Sequence, residues 1–244
     1  MTQILIVGAT SAIARGAGFA WAAQGQRLLL AGRDREELQR LAVDIEIRFK
    51  TTARVVALDL DEPGPRDGWL AELEAEHGSI DGLCCAAGWM PDNEAMRRGD
   101  DALRVLQRNL VGPVALINAF ADLCAQRRHG FIVGIGSVAG DRGRQSNYLY
   151  GAAKGGFAIY LAGLRNRLYP DNVRVLTVKP GFVDTRMTFG LPGLFLVADP
   201  MAVGAAIVKA SDAGRDEIYL PGFWRLILLI IRHVPEFLFK RLKL

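Results

Sequence analysis

Tyr150 and Lys154 stand four residues apart in Tyr150-Gly151-Ala152-Ala153-Lys154, at the head of a long stretch with helical spacing. Residues at i and i+4 share one helix face, so the phenol and the ammonium are neighbours. A free tyrosine has a pKa of about 10, too high for acid–base work near neutrality. A fixed ammonium beside it favours the phenolate, and an opposite charge of this kind typically moves a pKa by about 1–3 units. Such a tyrosine can give or take the proton of a carbonyl or alcohol oxygen while a hydride moves on the other side of that bond. Ser137, in Ile135-Gly136-Ser137, precedes Tyr150 by 13 positions, and its hydroxyl can polarise the same oxygen.

Hydride transfer needs a carrier, and the amino-terminal stretch reads as a place to hold one. The apolar run Ile4-Leu5-Ile6-Val7 ends at Gly8 and continues as Ala9-Thr10-Ser11-Ala12-Ile13-Ala14. A tight turn from a strand into a helix brings backbone N–H groups and a helix N-terminus to a pyrophosphate. Gly8 supplies the turn, Thr10 and Ser11 offer hydroxyls and a cap, and the cradle runs on through Ala12 and Ile13. Asp59, followed by Leu60, ends the third strand, where an adenine amino group can find a carboxylate. Arg33 follows the second strand, where sites for NAD tend to carry an acid for the ribose hydroxyls. A guanidinium there suits a 2′-phosphate, which favours NADP(H) and leaves NAD(H) as the alternative.

These residues need a frame. Apolar strand patterns fall at 4–7, 27–31, 54–58, 82–86, 131–135, 173–178 and 217–220, with helical patterns between them at 12–24, 67–77, 101–126, 150–168 and 200–210. Asp34 reads as an N-cap with Glu37 completing a capping box, opening a further helix to about Phe49. Apolar strands alternating with helices imply an α/β fold: a doubly wound, Rossmann-like parallel sheet of about seven strands with helices on both faces. One domain over residues 1–222 and a separate tail over 223–244 account for the chain. With 50% hydrophobic and 23% charged residues, the composition excludes a disordered, collagen-like or coiled-coil chain. Cys84, Cys85 and Cys124 give neither a disulfide framework nor zinc spacing, and His77, His129 and His233 show no ligand spacing, so no metal is expected. Met1-Thr2-Gln3 leads straight into the first strand, which together with the cysteine usage places the chain in a reducing, cytoplasmic compartment.

With Ser137, Tyr150 and Lys154 set beside the phosphate turn, residues 1 to about 222 resemble the short-chain dehydrogenase/reductase family. The resemblance implies that Ser137, Tyr150 and Lys154 are catalytic, with Lys154 also holding the nicotinamide ribose. It matches the family's helix asparagine, which helps hold a water on the proton relay, to Asn109. It matches the segment after the sixth strand to Pro180-Gly181-Phe182-Val183-Asp184-Thr185, so the Val183 backbone and the Thr185 hydroxyl engage the nicotinamide carboxamide. Ala87 and Gly88 close the cofactor site. Two segments depart from the family pattern. Ala12 and Ala14 replace glycines, and Cys85-Ala86-Ala87-Gly88 stands for Asn-Asn-Ala-Gly, with loss of amide hydrogen bonds at the sheet centre. Homo-oligomers through the long helices are expected from the same resemblance.

The substrate mouth is expected between Ser137 and Tyr150, where Arg142 and Arg144 can grip a substrate phosphate, and at an apolar lid over 186–198 that includes Met187, Phe189, Leu191, Leu194, Phe195 and Leu196. The formal charge is +4, and the segment from Phe223 holds all of it: Arg225, Arg232, Lys240, Arg241 and Lys243 against Glu236 alone. A nucleic-acid binder would carry its basic face on the main domain, so that class is set aside. The run Leu226–Ile231 is far shorter than the ~20 residues of a membrane span, and Pro235 divides the tail into two short helices. Apolar bulk with Trp224 at its edge and interspersed basic residues fits a helix lying on a bilayer surface, peripheral on the inner face; an arm packing on a neighbouring subunit is the rival. These features together resemble the ketoreductases of polyprenyl-phosphate-linked pentose epimerisation, a subgroup associated with NADH, in tension with Arg33. The readings carried forward are ketone reduction on a hydrophobic or lipid-linked substrate, a soluble alcohol or carbonyl dehydrogenase with an assembly tail, and a dinucleotide-binding module without turnover.

Overall fold

The computed structural model describes residues 2–62, 66–91, 99–190 and 193–242; Leu191 of the expected lid and Lys243 of the tail lie outside them. Seven strands form one sheet: β1 (Gln3–Val7), β2 (Arg27–Gly32), β3 (Ala53–Ala57), β4 (Gly82–Cys85), β5 (Phe131–Ile135), β6 (Arg174–Pro180) and β7 (Glu217–Leu220). Their order is β3-β2-β1-β4-β5-β6-β7, and every neighbouring pair is parallel. The order reverses between β1 and β4, which opens a crevice at the carboxyl ends of the central strands.

The strands are apolar throughout because both faces are covered. Leu5 and Val7 point into a core shared with α3 (Asp67–His77), α5 (Gly112–Arg127) and α6 (Tyr148–Leu168). Ile4 and Ile6 point into the opposite core with α1 (Ala12–Ala23), α2 (Arg35–Phe49) and α7 (Pro200–Asp212). Helices α1 and α7 cross at backbone distance: a Cβ on Gly204 would lie 2.2 Å from the Ala17 nitrogen. The caps follow the sequence. Ser11 accepts from Ala14 N–H at 3.2 Å, Asp34 from Glu37 N–H at 2.9 Å and Asp199 from Ala202 N–H at 2.7 Å. Glu37 does not close the capping box; its carboxylate pairs with Arg15 at 2.6 Å.

Two elements differ from the sequence pattern. The helix expected over 101–126 is α4 (Gly99–Leu106), a π-helical turn (Gln107–Val111) and α5. Pro113 cannot donate into a continuous ladder, and Gly112 is pressed onto β3's extension, where a Cβ would come 2.5 Å from Leu60 O. Strand β6 continues to Pro180 because β7 pairs with its end, Pro180 opposite Leu220.

The tail is not a separate unit. It forms α8 (Trp224–His233) and α9 (Glu236–Phe239). The inner face of α8 packs on the domain: Trp224 and Leu228 are buried against Val138, Phe182 and Tyr219. Packing thus runs across residue 222, because the apolar face of α8 carrying Trp224 and Leu228 is covered by the domain.

Candidate active site

A cleft of about 1100 Å³ runs along the carboxyl ends of the strands. Its floor at one end is the β1–α1 turn. Gly8 adopts φ +72°, and a Cβ there would press on the Ala86 carbonyl at 3.0 Å. Thr10, Ser11, Ala12 and Ile13 line the wall above it, at the start of α1. Helix starts leave their first N–H groups without intrahelical acceptors. Arg33, Asp59 and Leu60 line the same end. Ala87, Gly88, Ser137, Tyr150, Lys154, Pro180, Gly181, Val183, Thr185 and Met187 complete the lining.

Two buried ionisable groups, Lys154 and Tyr150, face the cleft. Lys154 is 3% exposed, and its ammonium donates to Ala87 O at 3.1 Å and Ile135 O at 3.0 Å. Two carbonyls fix it at the carboxyl ends of the central strands β4 and β5, 6.0 Å from the centre of the Tyr150 ring. Burial lowers its pKa to about 8. Burial pushes Tyr150 the other way, up to about 12, with the Ser137 hydroxyl opposing. The expectation of a phenolate held by Lys154 is thus corrected for the free protein. Desolvation outweighs an ammonium that is engaged by carbonyls, and Tyr150 stays a phenol. Ser137 accepts from Ala139 N–H at 3.1 Å, which leaves its own O–H to donate elsewhere.

Asn109 is fully buried within the π turn. Its amide hydrogens go to Trp89 O at 2.7 Å and Val105 O at 2.9 Å, and its carbonyl accepts from Trp89 N–H at 3.2 Å. The side chain braces the loop after β4 and does not line the cleft. Gly88 lies between it and Lys154: a Cβ there would sit 3.3 Å from Asn109 Oδ1 and 3.5 Å from Lys154 Nζ. The alanines at 12 and 14 are accommodated, Ala14 inside the core and Ala12 on the cleft wall.

A sequence model described as "short chain dehydrogenase" matches residues 2–191. The chain belongs to the short-chain dehydrogenase family. An uncharacterized oxidoreductase of Streptomyces coelicolor is 31% identical over 244 residues, covering 98% of this chain and 95% of that one. An uncharacterized oxidoreductase of Mycobacterium tuberculosis is 30% identical over 221 residues, covering 90% and 89%. Among solved structures, a bulky-bulky ketone specific alcohol dehydrogenase of Comamonas testosteroni superposes with a TM-score of 0.78 at 25% identity, covering 97% and 96%. A short-chain dehydrogenase of Sphingobium yanoikuyae in complex with NADPH superposes at 0.82 with 23% identity, covering 97% of each chain, a likeness of fold. This short-chain dehydrogenase is an NAD(P)-dependent oxidoreductase acting on CH–OH or C=O groups.

Three substrate expectations for this dehydrogenase are corrected. Arg142 turns away from the cleft: its guanidinium donates to Ile231 O and Val234 O, each at 2.6 Å, and to Glu236 at 2.9 Å. Arg144 does not line the cleft either; burial lowers its pKa, and its Nε and Nη2 have no hydrogen-bond partner among the described residues. Phe189 is 88% exposed, outside the cleft lining. The Arg142 guanidinium went elsewhere because a helix C-terminus with free carbonyls is a strong local acceptor. Residues that the sequence reading missed also line the cleft: Arg15, Asp61, Trp89, Arg108 and Arg186. Arg108 grips Asp61 with two bonds to one oxygen and one to the other, at 2.5–3.0 Å, and lies 4.7 Å over the Trp89 ring. Arg15 sits one helical turn past Ser11, a spacing that could have flagged it.

Proposed function

We propose that this enzyme reduces a ketone to a secondary alcohol with NADPH, on a hydrophobic or lipid-carried substrate, such as a keto sugar on a polyprenyl phosphate, met at a membrane surface. The carrying observation is the convergence of Ser137, Tyr150 and Lys154 in the same cleft as the start of α1. The residues fit a dinucleotide. Arg15 Nε is buried with no hydrogen-bond partner among the described residues, beside a helix N-terminus suited to phosphate. Arg33, paired only loosely with Asp61 at 3.8 Å, suits a 2′-phosphate. Asp59 suits the adenine amino group, and Lys154 the nicotinamide ribose.

The bound dinucleotide supplies the hydride. The chain's own groups handle the oxygen. Tyr150, a phenol at neutral pH, donates its proton to the oxygen as negative charge builds there, and Ser137 donates a hydrogen bond to the same oxygen. Lys154 places a positive charge in a low-dielectric pocket where charge interactions are strong. That the similar alcohol dehydrogenase of Comamonas testosteroni is specific for bulky-bulky ketones supports a large substrate. For the membrane, support comes from the uncovered outer face of α8 and α9: Leu226, Leu229, Ile230, Phe237 and Leu238 are exposed, next to exposed Arg225, Arg232, Lys240 and Arg241. The lid's Phe195 and Leu196 are exposed as well.

The test is oxidation of NADPH and NADH with cyclohexanone, acetophenone and benzophenone, for the natural chain and for Tyr150→Phe. The reading expects turnover rising with ketone bulk, NADPH preferred, and loss of turnover in Tyr150→Phe with NADPH binding retained. Activity retained in Tyr150→Phe would sink it.

A further inference from the structure

The segment between Ser137 and Tyr150 carries one catalytic candidate at each end, and its two halves are held differently. The near half, the 3₁₀ turn Val138–Asp141, is wedged under α6: a Cβ on Gly140 would meet the Lys154 carbonyl carbon at 2.7 Å. Asp141 ties this half to the sheet edge. Its carboxylate takes Lys179 at 2.9 Å and the Tyr219 hydroxyl at 2.7 Å, nearly out of solvent. Lys179 is raised: burial alone would lower it, but the Glu217 and Asp141 carboxylates outweigh that.

The far half has no such wedge. Among the described residues, its own backbone bonding before α6 is the Asn147 N–H to Arg144 O contact. What holds it is Arg142, and Arg142 holds it to the tail. The guanidinium caps the carbonyl end of α8 through Ile231 O and Val234 O, pairs with Glu236, and stacks 3.7 Å over the centre of the buried Phe239 ring. The same tail closes the other wall. Trp224 lies flat on Gly181, where a Cβ would meet its ring nitrogen at 1.9 Å, and packs edge-on against Phe182.

Resting on the roles given above to Ser137 and Tyr150, we infer that Arg142 is a positioning residue for the reaction. It clasps the catalytic segment to α8 and α9, which makes the tail part of the active-site scaffold. The chemistry fits this use: one planar fork meets several carbonyls that a helix end leaves free, and an aromatic face covers it. A misplacement of about 1 Å in a catalytic group can cost a hundredfold in rate.

The test compares the full chain with Arg142→Ala, Arg142→Lys and Phe239→Leu, using the ketone that the natural chain turns over fastest. Three quantities are read: kcat, the NADPH dissociation constant by nicotinamide fluorescence, and amide hydrogen exchange over 138–147 in the free protein. The inference expects Arg142→Ala to lose kcat about tenfold with NADPH binding within about twofold, and exchange over 138–147 to rise while β1 and α2 stay protected. Arg142→Lys, which keeps donors but not the fork, recovers part of both. If Arg142→Ala does not fold, Arg142→Lys and Phe239→Leu carry the test, with smaller changes in the same direction. Unchanged exchange over 138–147 with unchanged kcat overturns the inference, as does a kcat loss matched by loss of NADPH binding. Tyr150→Phe separates the failures: if it is inactive while the Arg142 variants are fully active, the clasp is wrong and the site reading stands.

Discussion

Lys154 and Tyr150 are both buried, and burial moves them in opposite directions because it penalises a cation in one case and an anion in the other. The sign matters for catalysis. Lys154 of the free protein is protonated below about pH 8 and neutral above it, while Tyr150 holds its proton up to about 12. Reduction needs both protons in place, so it is the alkaline side that is sensitive, and Lys154 sets it. The kcat/KM for the nicotinamide cofactor reports ionisations of the free enzyme. It is expected to be flat through neutrality and to fall about tenfold per unit as pH rises through about 8. A profile flat to the range of a free lysine would show that Lys154 keeps its charge despite the burial. At the cleft's other end, Arg33→Ala is expected to raise the KM for NADPH about tenfold and leave that for NADH nearly unchanged, a cost of about 1.5 kcal/mol at the low end for a charged hydrogen bond. The low end applies because the Arg33 side chain is 56% exposed and screened. Equal changes for both cofactors would remove Arg33 from 2′-phosphate recognition.

Elements carry those residues to one place, and most of them were legible from pattern. The seven strands read from apolar runs because both sheet faces are covered, and the caps Ser11 and Asp34 sit where short polar side chains precede helical runs. The meeting of Ser137, Tyr150 and Lys154 on one cleft was legible because a strand end and one helix face fix it. What could not be read were contacts between distant segments. Arg142 looked like a substrate ligand because sequence shows its charge and loop, not the α8 carbonyls 89 residues away. The π turn around Asn109 was hidden because helical periodicity does not reveal one inserted residue, although Gly112-Pro113 marks where the ladder changes. The shift of Tyr150 was misjudged because i, i+4 spacing gives proximity but not burial. The α1–α7 crossing gives an element-level prediction. Gly204 meets Ala17 N at a virtual distance of 2.2 Å, and backbone cannot swing aside as a side chain can. Gly204→Ala is expected to cost about 1–3 kcal/mol, which for a chain of this size lowers the melting temperature by about 2–4 °C for each kcal/mol. A melt within error of the natural chain would mean that the two helices slide apart freely.

At the scale of the whole molecule, α8 carries apolar residues beyond its covered inner face, beside exposed Arg225 and Arg232. Trp224 and Leu228 are buried on the domain, whereas Leu226, Leu229 and Ile230 face outward beside the lid. Among the described residues no helix is long and apolar enough to cross a membrane, so the outer face can rest on a bilayer but not span it. The inner packing decides how this should be tested. Ending the chain at Gly222 would uncover Gly181, Phe182 and Val138 and remove the partner of Arg142, so a change in vesicle binding could not be separated from a change in the domain. Substituting Leu226, Leu229 and Ile230 together by Gln leaves the inner face and the Arg142 contacts in place. The triple variant is expected to keep its melting temperature, since exposed positions away from special features usually change stability by less than about 0.5 kcal/mol each. It is also expected to lose flotation with vesicles containing anionic phospholipid, because surface binding scales with apolar area placed below the headgroups. Raising salt should weaken flotation of the natural chain as well, since Arg225, Arg232, Lys240 and Arg241 contribute by attraction to the charged surface, which ions screen. If the natural chain does not float, but the triple variant changes the oligomer mass in solution, the outer face is a contact between copies of this chain. A lipid-carried substrate would then have to reach the cleft without the enzyme resting on its membrane.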